Sequence, residues 1–370
     1  MLDFTSALYL GLQHPSWSLR PWAQFTTGAP AALRSPVSAQ IVAQKVAALQ
    51  GCEAGTLGTS TLHVFWDLFG ILARERVAIY VDAGTYPIAR WGVERATARR
   101  VATYNFAHHD TDALWRLLNR QARSGVRPLV VSDGFCPGCG KPAPLAAYLE
   151  RARAFGGRLV IDDTQALGIF GSGPALGVPY GRGGGGMLPW SNIHEPDVMV
   201  VSSLAKALGV PAAVLAGTQA VVREFEDKSE TRVHCSPPSV AVVRAAQHAL
   251  AVNTEHGDAL RSRLSSVVLR FRQLTTEAGF RFTGGLFPVQ TLVSEPEMEP
   301  ARLHDALQKA GIRTVLHQAR NGHGPRISFL ITARHVPEEI DRVAGALKEG
   351  SVLRRYLTIR GRSHASPGAL

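Results

Sequence analysis

Two residues, Lys206 and Asp162, have the types and the spacing to do chemistry together. Asp162 closes the apolar run Leu159-Val160-Ile161. Lys206 comes 44 positions later (206 − 162), after Val198-Met199-Val200-Val201 and the turn-like Ser202-Ser203-Leu204-Ala205. Short β-branched runs bounded by polar residues read as strands, so each side chain falls just past the C-terminal end of one. An amine placed there can condense with an aldehyde, and a carboxylate can hold a pyridinium nitrogen protonated so that the ring accepts electrons. Pyridoxal phosphate (PLP) requires both. The competing reading, a solvated lysine, fits poorly between Val-Met-Val-Val and Ala-Leu-Gly-Val-Pro.

The elements that must position the pair alternate along the chain. Val77–Asp82, Pro128–Ser132, Arg158–Asp162 and Asp197–Ser202 read as strands, and Asp112–Arg123 and Pro144–Phe155 as amphipathic helices. Such alternation predicts an α/β fold with a mostly parallel sheet covered by helices, and ligands beyond the strand C-termini. Gly181–Gly186 reads as a flexible loop, since no helical pattern follows it directly. A long helix from Ser239 to about Ala278 leads to a smaller α+β domain. There Gln290–Val293, Arg313–Leu316 and Arg326–Thr332 read as strands, with Glu299–Ala310 and Pro337–Lys348 as helices. The expected organisation is a proline-punctuated segment over 1–40, a large domain over 41–238, a connecting helix and small domain over 239–350, and a basic tail over 351–370.

With 370 residues, 45% hydrophobic and 19% charged, the chain is globular and long enough for two domains. No apolar run approaches the ~18 residues of a membrane span, and Met1-Leu2-Asp3-Phe4 does not open a signal peptide. Four cysteines make no disulfide framework in a chain of this size, which points to a reducing cytoplasm. Much of the net charge of +11 lies on helical patterns such as Arg261, Arg263, Arg270 and Arg272, a solvated face. Its densest group is Arg354, Arg355, Arg360 and Arg362 in the tail. No nucleic-acid module accompanies it. An acidic partner suits the charge better, either the phosphates of CoA or an acyl carrier protein.

From about residue 3 to 348 the sequence resembles the α-oxoamine synthases, PLP-dependent transferases of fold type I. Leu8-Tyr9-Leu10-Gly11-Leu12 is similar to the family's N-D-Y-L-G-L opening. Phe106-Ala107-His108-His109-Asp110 is similar to its F-x-H-N-D segment, a mainly structural one. Ser132-Asp133-Gly134-Phe135-Cys136 through Ala143-Pro144-Leu145 resembles its loop beside the cofactor, with Pro137 in place of a serine. The resemblance implies that Lys206 binds PLP and shuttles the Cα proton, with Asp162 as partner of the ring nitrogen. Thr59-Ser60-Thr61 would take the phosphate at a helix N-terminus, although an ordinary N-cap at Thr59 explains those hydroxyls equally well. Tyr86 stands where the family stacks a histidine on the ring, and Ser203 matches a hydroxyl near the phosphate.

Three departures qualify the resemblance. Gln165 replaces a histidine three residues after the aspartate; it can donate a hydrogen bond but cannot titrate near neutrality. Ser328 stands where the family's carboxylate-anchoring arginine would be, in Arg326-Ile327-Ser328-Phe329, which removes a charge-assisted clamp of ~1.5–3 kcal/mol. Arg326 remains on the same face two residues away. His234 replaces a small hydroxyl residue of the family's S-T-S-x-P-P turn, which reaches the phosphate across the interface of a homodimer; a surface imidazole is the alternative. Cys136-Pro137-Gly138-Cys139 lacks the second pair of ligands that a zinc site needs, so no metal is expected. A redox pair and a loop of small residues both remain open.

The implied reaction condenses an amino acid with an acyl thioester on CoA or a carrier protein, with decarboxylation. Another PLP reaction (transamination, retro-aldol cleavage or β-substitution) and a scaffold without turnover are the alternatives that Gln165 and Ser328 keep open.

Overall fold

The computed structural model describes residues 1–14, 24–26, 28–33, 35–121, 125–293, 299–318 and 324–362, with side chains described up to residue 349 in the last stretch. The end of the expected Asp112–Arg123 helix and the side chains of the arginine-rich tail lie outside the described residues. The chain forms two compact units. One comprises Leu10–Cys136 with Lys141–Ser262; the other comprises Met1–Tyr9, Pro137–Gly140 and Arg263–Leu370.

The larger unit is built on a seven-stranded sheet in the order Ala54–Gly58, Ala213–Gly217, Val198–Ser203, Arg158–Asp162, Arg127–Asp133, Val77–Asp82, Ala102–Phe106. Ala213–Gly217 runs antiparallel to both neighbours and every other pairing is parallel. Helices cover the sheet, so its central strands are apolar throughout rather than alternating; all six residues of Val77–Asp82 are buried. Helices Thr61–Leu72 and Pro87–Ala98 close one side of the core, where Phe65, Leu68, Phe69 and Val93 meet Ile79, Val131 and Val201.

Gly181–Gly186 corrects the expectation of a flexible loop. Gly184, Gly185 and Gly186 are buried, and a short helix, Met187–Trp190, follows at once. Asn253 donates to the Gly183 carbonyl at 2.9 Å, Asp258 accepts from the Gly183 N–H at 2.9 Å, and Arg261, 2% exposed, donates to the Gly168 carbonyl at 2.9 Å. Glycine serves here because the backbone itself fills the space. A Cβ on Gly186, where φ is +89°, would fall 1.8 Å from Asp163 Oδ2, and one on Gly185 would fall 2.0 Å from the Leu49 carbonyl oxygen. Gly186→Ala is therefore expected to lower stability by ~2–4 kcal/mol through both strain and overpacking, read as a drop in the urea midpoint at unchanged slope.

The smaller unit holds a four-stranded antiparallel sheet in the order Phe282–Thr283, Val289–Leu292, Pro325–Leu330, Val315–Gln318. Leu2–Asp3 pairs in parallel with Ile312–Arg313, so the N-terminus, expected to be irregular there, adds a strand to this unit. Phe4, Phe271, Phe282 and Phe329 form its aromatic core. The last helix, expected to end at Lys348, runs over Pro337–Arg362. Among the described residues no helix is long and apolar enough to cross a membrane. No disulfide joins the four cysteines, all of which lie among the described residues.

Candidate active site

The C-terminal ends of the parallel strands carry Asp82, Asp133, Asp162 and Ser203. Asp133 is in register with Asp162, and Asp162 with Val201 on the strand that ends at Ser203. Thr164 clips two of these ends together. Its N–H donates to Asp162 Oδ1 at 3.0 Å while its Oγ1 accepts from the Ser203 N–H at 3.0 Å. Lys206 is half-buried in the turn just beyond, which is closed by Leu204 N–H to the Ala212 carbonyl at 2.8 Å and Val210 N–H to the Leu204 carbonyl at 3.0 Å. The chain thus places the lysine and the aspartate on adjacent strand ends.

Burial pushes the Asp162 carboxyl above the usual range, against hydrogen bonds from Thr164 and the positive charge of Lys206, which favour the ionised form. The next residue behaves differently. Asp163 is 1% exposed, accepts from the Met187 N–H at 2.9 Å through Oδ2, and leaves Oδ1 without a partner. Burial and the neighbouring Asp162 charge push its carboxyl well up, which favours the neutral form. Gln165 is half-buried in the turn that follows. Asp162 is therefore the carboxylate whose ionised form the Lys206 charge favours, and Asp163 a packing residue beside Gly186.

Tyr86 caps the N-terminus of Pro87–Ala98 with its backbone, donating N–H to Asp133 Oδ1 at 2.9 Å, and 44% of the residue is exposed at the strand ends. Asp82 accepts from Tyr148 Oη at 2.7 Å, from the His109 N–H at 3.0 Å and from the Gly84 N–H at 2.6 Å, and pairs with His108 Nδ1 at 2.6 Å. The Asp82 and Cys136 hydrogen bonds raise the His108 ring to about 10, while burial and the His108 charge lower His109. A histidine raised from 6.5 stabilises the fold fully below about pH 6.5 and loses that contribution as the pH rises through about 10. Stability in urea is expected to fall across that window by ~1–3 kcal/mol more in the wild type than in His108→Gln, allowing for the partial exposure of the ring.

The N-cap of Thr61–Leu72 is Ser60, not Thr59: its Oγ accepts from the His63 N–H at 3.4 Å and lies 2.8 Å from His63 Nδ1. Thr59 lines a narrow crevice with Arg232, Ser236 and Pro237. Asp67 on the same helix, fully buried, accepts from the Thr231 N–H at 3.0 Å and from Thr231 Oγ1 at 2.6 Å and also binds Ser229 Oγ. It thereby holds the short helix Glu230–His234, at whose end His234 is exposed. The larger unit accordingly contains Thr59, Ser60, Thr61, Tyr86, Asp162, Gln165, Ser203, Lys206 and His234. Arg326 and Ser328 belong to the smaller unit. Ser328 is buried there, with Oγ 2.7 Å from Thr291 Oγ1 and 2.8 Å from His317 Nε2. Arg326 is half-buried and in register with His317.

This donor set fits PLP. The half-buried amine suits the aldehyde, a buried carboxylate that already responds to a positive charge suits the pyridinium, and hydroxyls at a helix N-terminus suit the phosphate. The sequence matches the family of aminotransferases class I and II over residues 43–347. The chain belongs to that family. It is a PLP-dependent transferase family, and the expected fold type I is borne out. This aminotransferase-family chain is 29% identical to 8-amino-7-oxononanoate synthase of Sodalis glossinidius (strain morsitans) over 95% of its own length and 88% of the relative's. Its fold is similar to that of a serine palmitoyltransferase variant from S. paucimobilis with bound PLP, with a TM-score of 0.83 at 17% identity, covering 95% of this chain and 88% of the other. For 8-amino-7-oxononanoate synthase from Francisella tularensis the TM-score is 0.73 at 16% identity, over 96% and 99% of the two chains. The resemblance to α-oxoamine synthases is thus borne out.

Thr164, Asp133 and Asp82 are the site residues that sequence reasoning misses. Asp82 and Asp133 carry the same signal as Asp162, an apolar run ended by aspartate. Thr164 has none, because its role depends on which strand lies next to it.

Proposed function

We propose that this chain condenses an amino acid with an acyl thioester, with loss of carbon dioxide and release of the thiol, to give an aminoketone. The observation that carries the reading is the placement of the buried Asp162 at one strand end and of Lys206 in the turn just past the end of the adjacent strand. The kinship with 8-amino-7-oxononanoate synthase supports the choice of reaction within the family. Bound PLP supplies an electron sink for the pair left at the amino acid's Cα. The Lys206 amine takes the proton from Cα. Asp162 holds the proton on the ring nitrogen, and Thr164 keeps both strand ends at a fixed separation. Ser203, Thr59 and Ser60 offer hydroxyls to the phosphate, and Tyr86 offers an aromatic face to the ring. Gln165 can donate a hydrogen bond but no proton, so the one proton-transfer group in this set is Lys206.

A homodimer, with His234 turned to the partner's phosphate, and a cytoplasmic location belong to the same reading; four cysteines without a disulfide support the second. The test is thiol release from a panel of acyl-CoA thioesters, each mixed with single amino acids and the PLP-loaded protein. Thiol release that needs one particular amino acid establishes the condensation. Amino-acid-dependent change in the PLP absorption without thiol release would overturn it and leave transamination, retro-aldol cleavage or β-substitution.

A further inference from the structure

Cys136 and Cys139 lack a second pair of metal ligands along the sequence, and the fold supplies one. A ligand atom from each of His108, His109 and Cys139 lies within 4.8 Å of the others, and all three residues are half-buried. His108 and His109 follow the strand Ala102–Phe106. Cys139 belongs to the turn of a hairpin, Phe135–Cys136 against Lys141–Pro142, that follows the strand Arg127–Asp133. The strand between these two in the sheet, Val77–Asp82, delivers Asp82 to His108. Three neighbouring strand ends thus converge on one cluster, which the condensation leaves unused.

The two imidazoles are set up as ligands. His109 Nε2 is buried and has no hydrogen-bond partner among the described residues, a cost that a metal ion would remove. The His109 backbone takes φ +58°, a left-handed conformation uncommon for residues with a Cβ, and its ring centroid lies 3.7 Å from that of His108. His108 Nδ1 lies 2.6 Å from Asp82 Oδ1. Asp82 is buried and held in turn by the Gly84 N–H at 2.6 Å, the His109 N–H at 3.0 Å and the Tyr148 hydroxyl at 2.7 Å. A fixed carboxylate on Nδ1 reserves Nε2 for a metal and orients the ring. Zn–N bonds of ~2.0 Å and Zn–S bonds of ~2.3 Å set ligand atoms about 3.3–3.8 Å apart, so small side-chain rotations close the cluster.

We propose that His108, His109 and Cys139, joined by Cys136, bind one zinc ion as a structural staple across the three strand ends. Two imidazoles and two thiolates make a closed tetrahedral set with no position left for substrate. Cys136 takes the fourth position because the C-x-x-C spacing lets both cysteines of one turn reach the same ion. Each thiol gives its proton to solvent as it binds, and the two thiolates balance the charge of the ion. The side chain of His108 is 30% exposed, which leaves the ion a way in. The staple ties the hairpin after Asp133 to the end of the Asp82 strand. It makes and breaks no substrate bond, so it stands or falls independently of the condensation.

The experiment strips the PLP-loaded full chain of metal with a chelator in reducing buffer, then titrates it with Zn²⁺ and, separately, with Co²⁺. The expected result is one zinc per chain, a urea midpoint that rises with zinc, and a tetrahedral cobalt difference spectrum with a thiolate-to-cobalt band. Asp82→Asn should weaken zinc binding by ~10–100-fold, as loss of an outer support does. His109→Gln, Cys136→Ser and Cys139→Ser should each weaken it further and abolish the rise in midpoint. Zinc that binds equally well to Cys139→Ser, or a six-coordinate cobalt spectrum without the thiolate band, overturns the proposal. A Cys136–Cys139 disulfide that persists in reducing buffer also overturns it and makes the turn a redox pair. Where a variant fails to fold, the cobalt spectrum of the wild type decides, since the thiolate band needs no substitution.

Discussion

Turnover is expected to fall by about 10⁴-fold in Lys206→Ala, the upper end of what one positioned proton-transfer group contributes, and the lysine-dependent visible band of the PLP-loaded protein should vanish. The size of the effect follows from the composition of the site. Gln165, the residue after Thr164 in the neighbouring turn, cannot titrate near neutrality and so cannot take over the proton. Stability should change by less than ~1 kcal/mol, because Lys206 lies half-buried in a turn between Ala205 and Ala207 and the turn is closed by backbone bonds from Leu204 and Val210. Borohydride reduction of the wild type followed by peptide mapping should place PLP on Lys206. A visible band of undiminished strength in the alanine variant would refute the assignment.

Asp162→Asn should separate stability from activity. The carboxyl sits above its usual range because burial disfavours its charge, so a neutral isostere removes a cost and should leave the PLP-free protein as stable or ~1 kcal/mol more stable. The amide oxygen can still accept the Thr164 N–H, which keeps the link to Ser203. What is lost is the negative charge opposite the ring nitrogen, so kcat should drop by ~10²–10³-fold. Urea melts of the PLP-free protein and steady-state rates read the two effects separately. A parallel loss of both would mean that Asp162 is structural.

The lysine and aspartate strands are legible in the sequence because helices bury them on both faces, which leaves unbroken apolar runs ended by one polar residue. Ala54–Gly58, Ala102–Phe106 and Ala213–Gly217 escape the same reading. They are rich in alanine and glycine or half-exposed, and only pairing with stronger neighbours makes them strands. Gly181–Gly186 misleads for a related reason: composition reports conformational freedom, whereas Asn253, Asp258 and Arg261 remove it from a distance in sequence that no local pattern covers. The cap at Ser60 rather than Thr59 is a one-residue matter, settled by which hydroxyl reaches the His63 N–H. Ser328 is legible as a departure from an arginine, but its bonds to Thr291 and His317 depend on strand pairing and are not.

The strand order also sets a timetable for synthesis. Among the described residues the one strand that pairs with Ala54–Gly58 is Ala213–Gly217, so roughly 155 residues (213 − 58) must leave the ribosome before that early strand finds its partner. At ~5–20 residues per second, the strand spends on the order of ten to thirty seconds with an open edge, a known liability for pairing with the wrong chain. Glycine at Gly55 and Gly58 and the shortness of the strand blunt that edge during the wait. Asp162 leaves the ribosome 44 residues before Lys206, and the lysine's turn closes only once Ala212 has arrived. A nascent chain therefore has no complete cofactor site until Ala212 has left the ribosome.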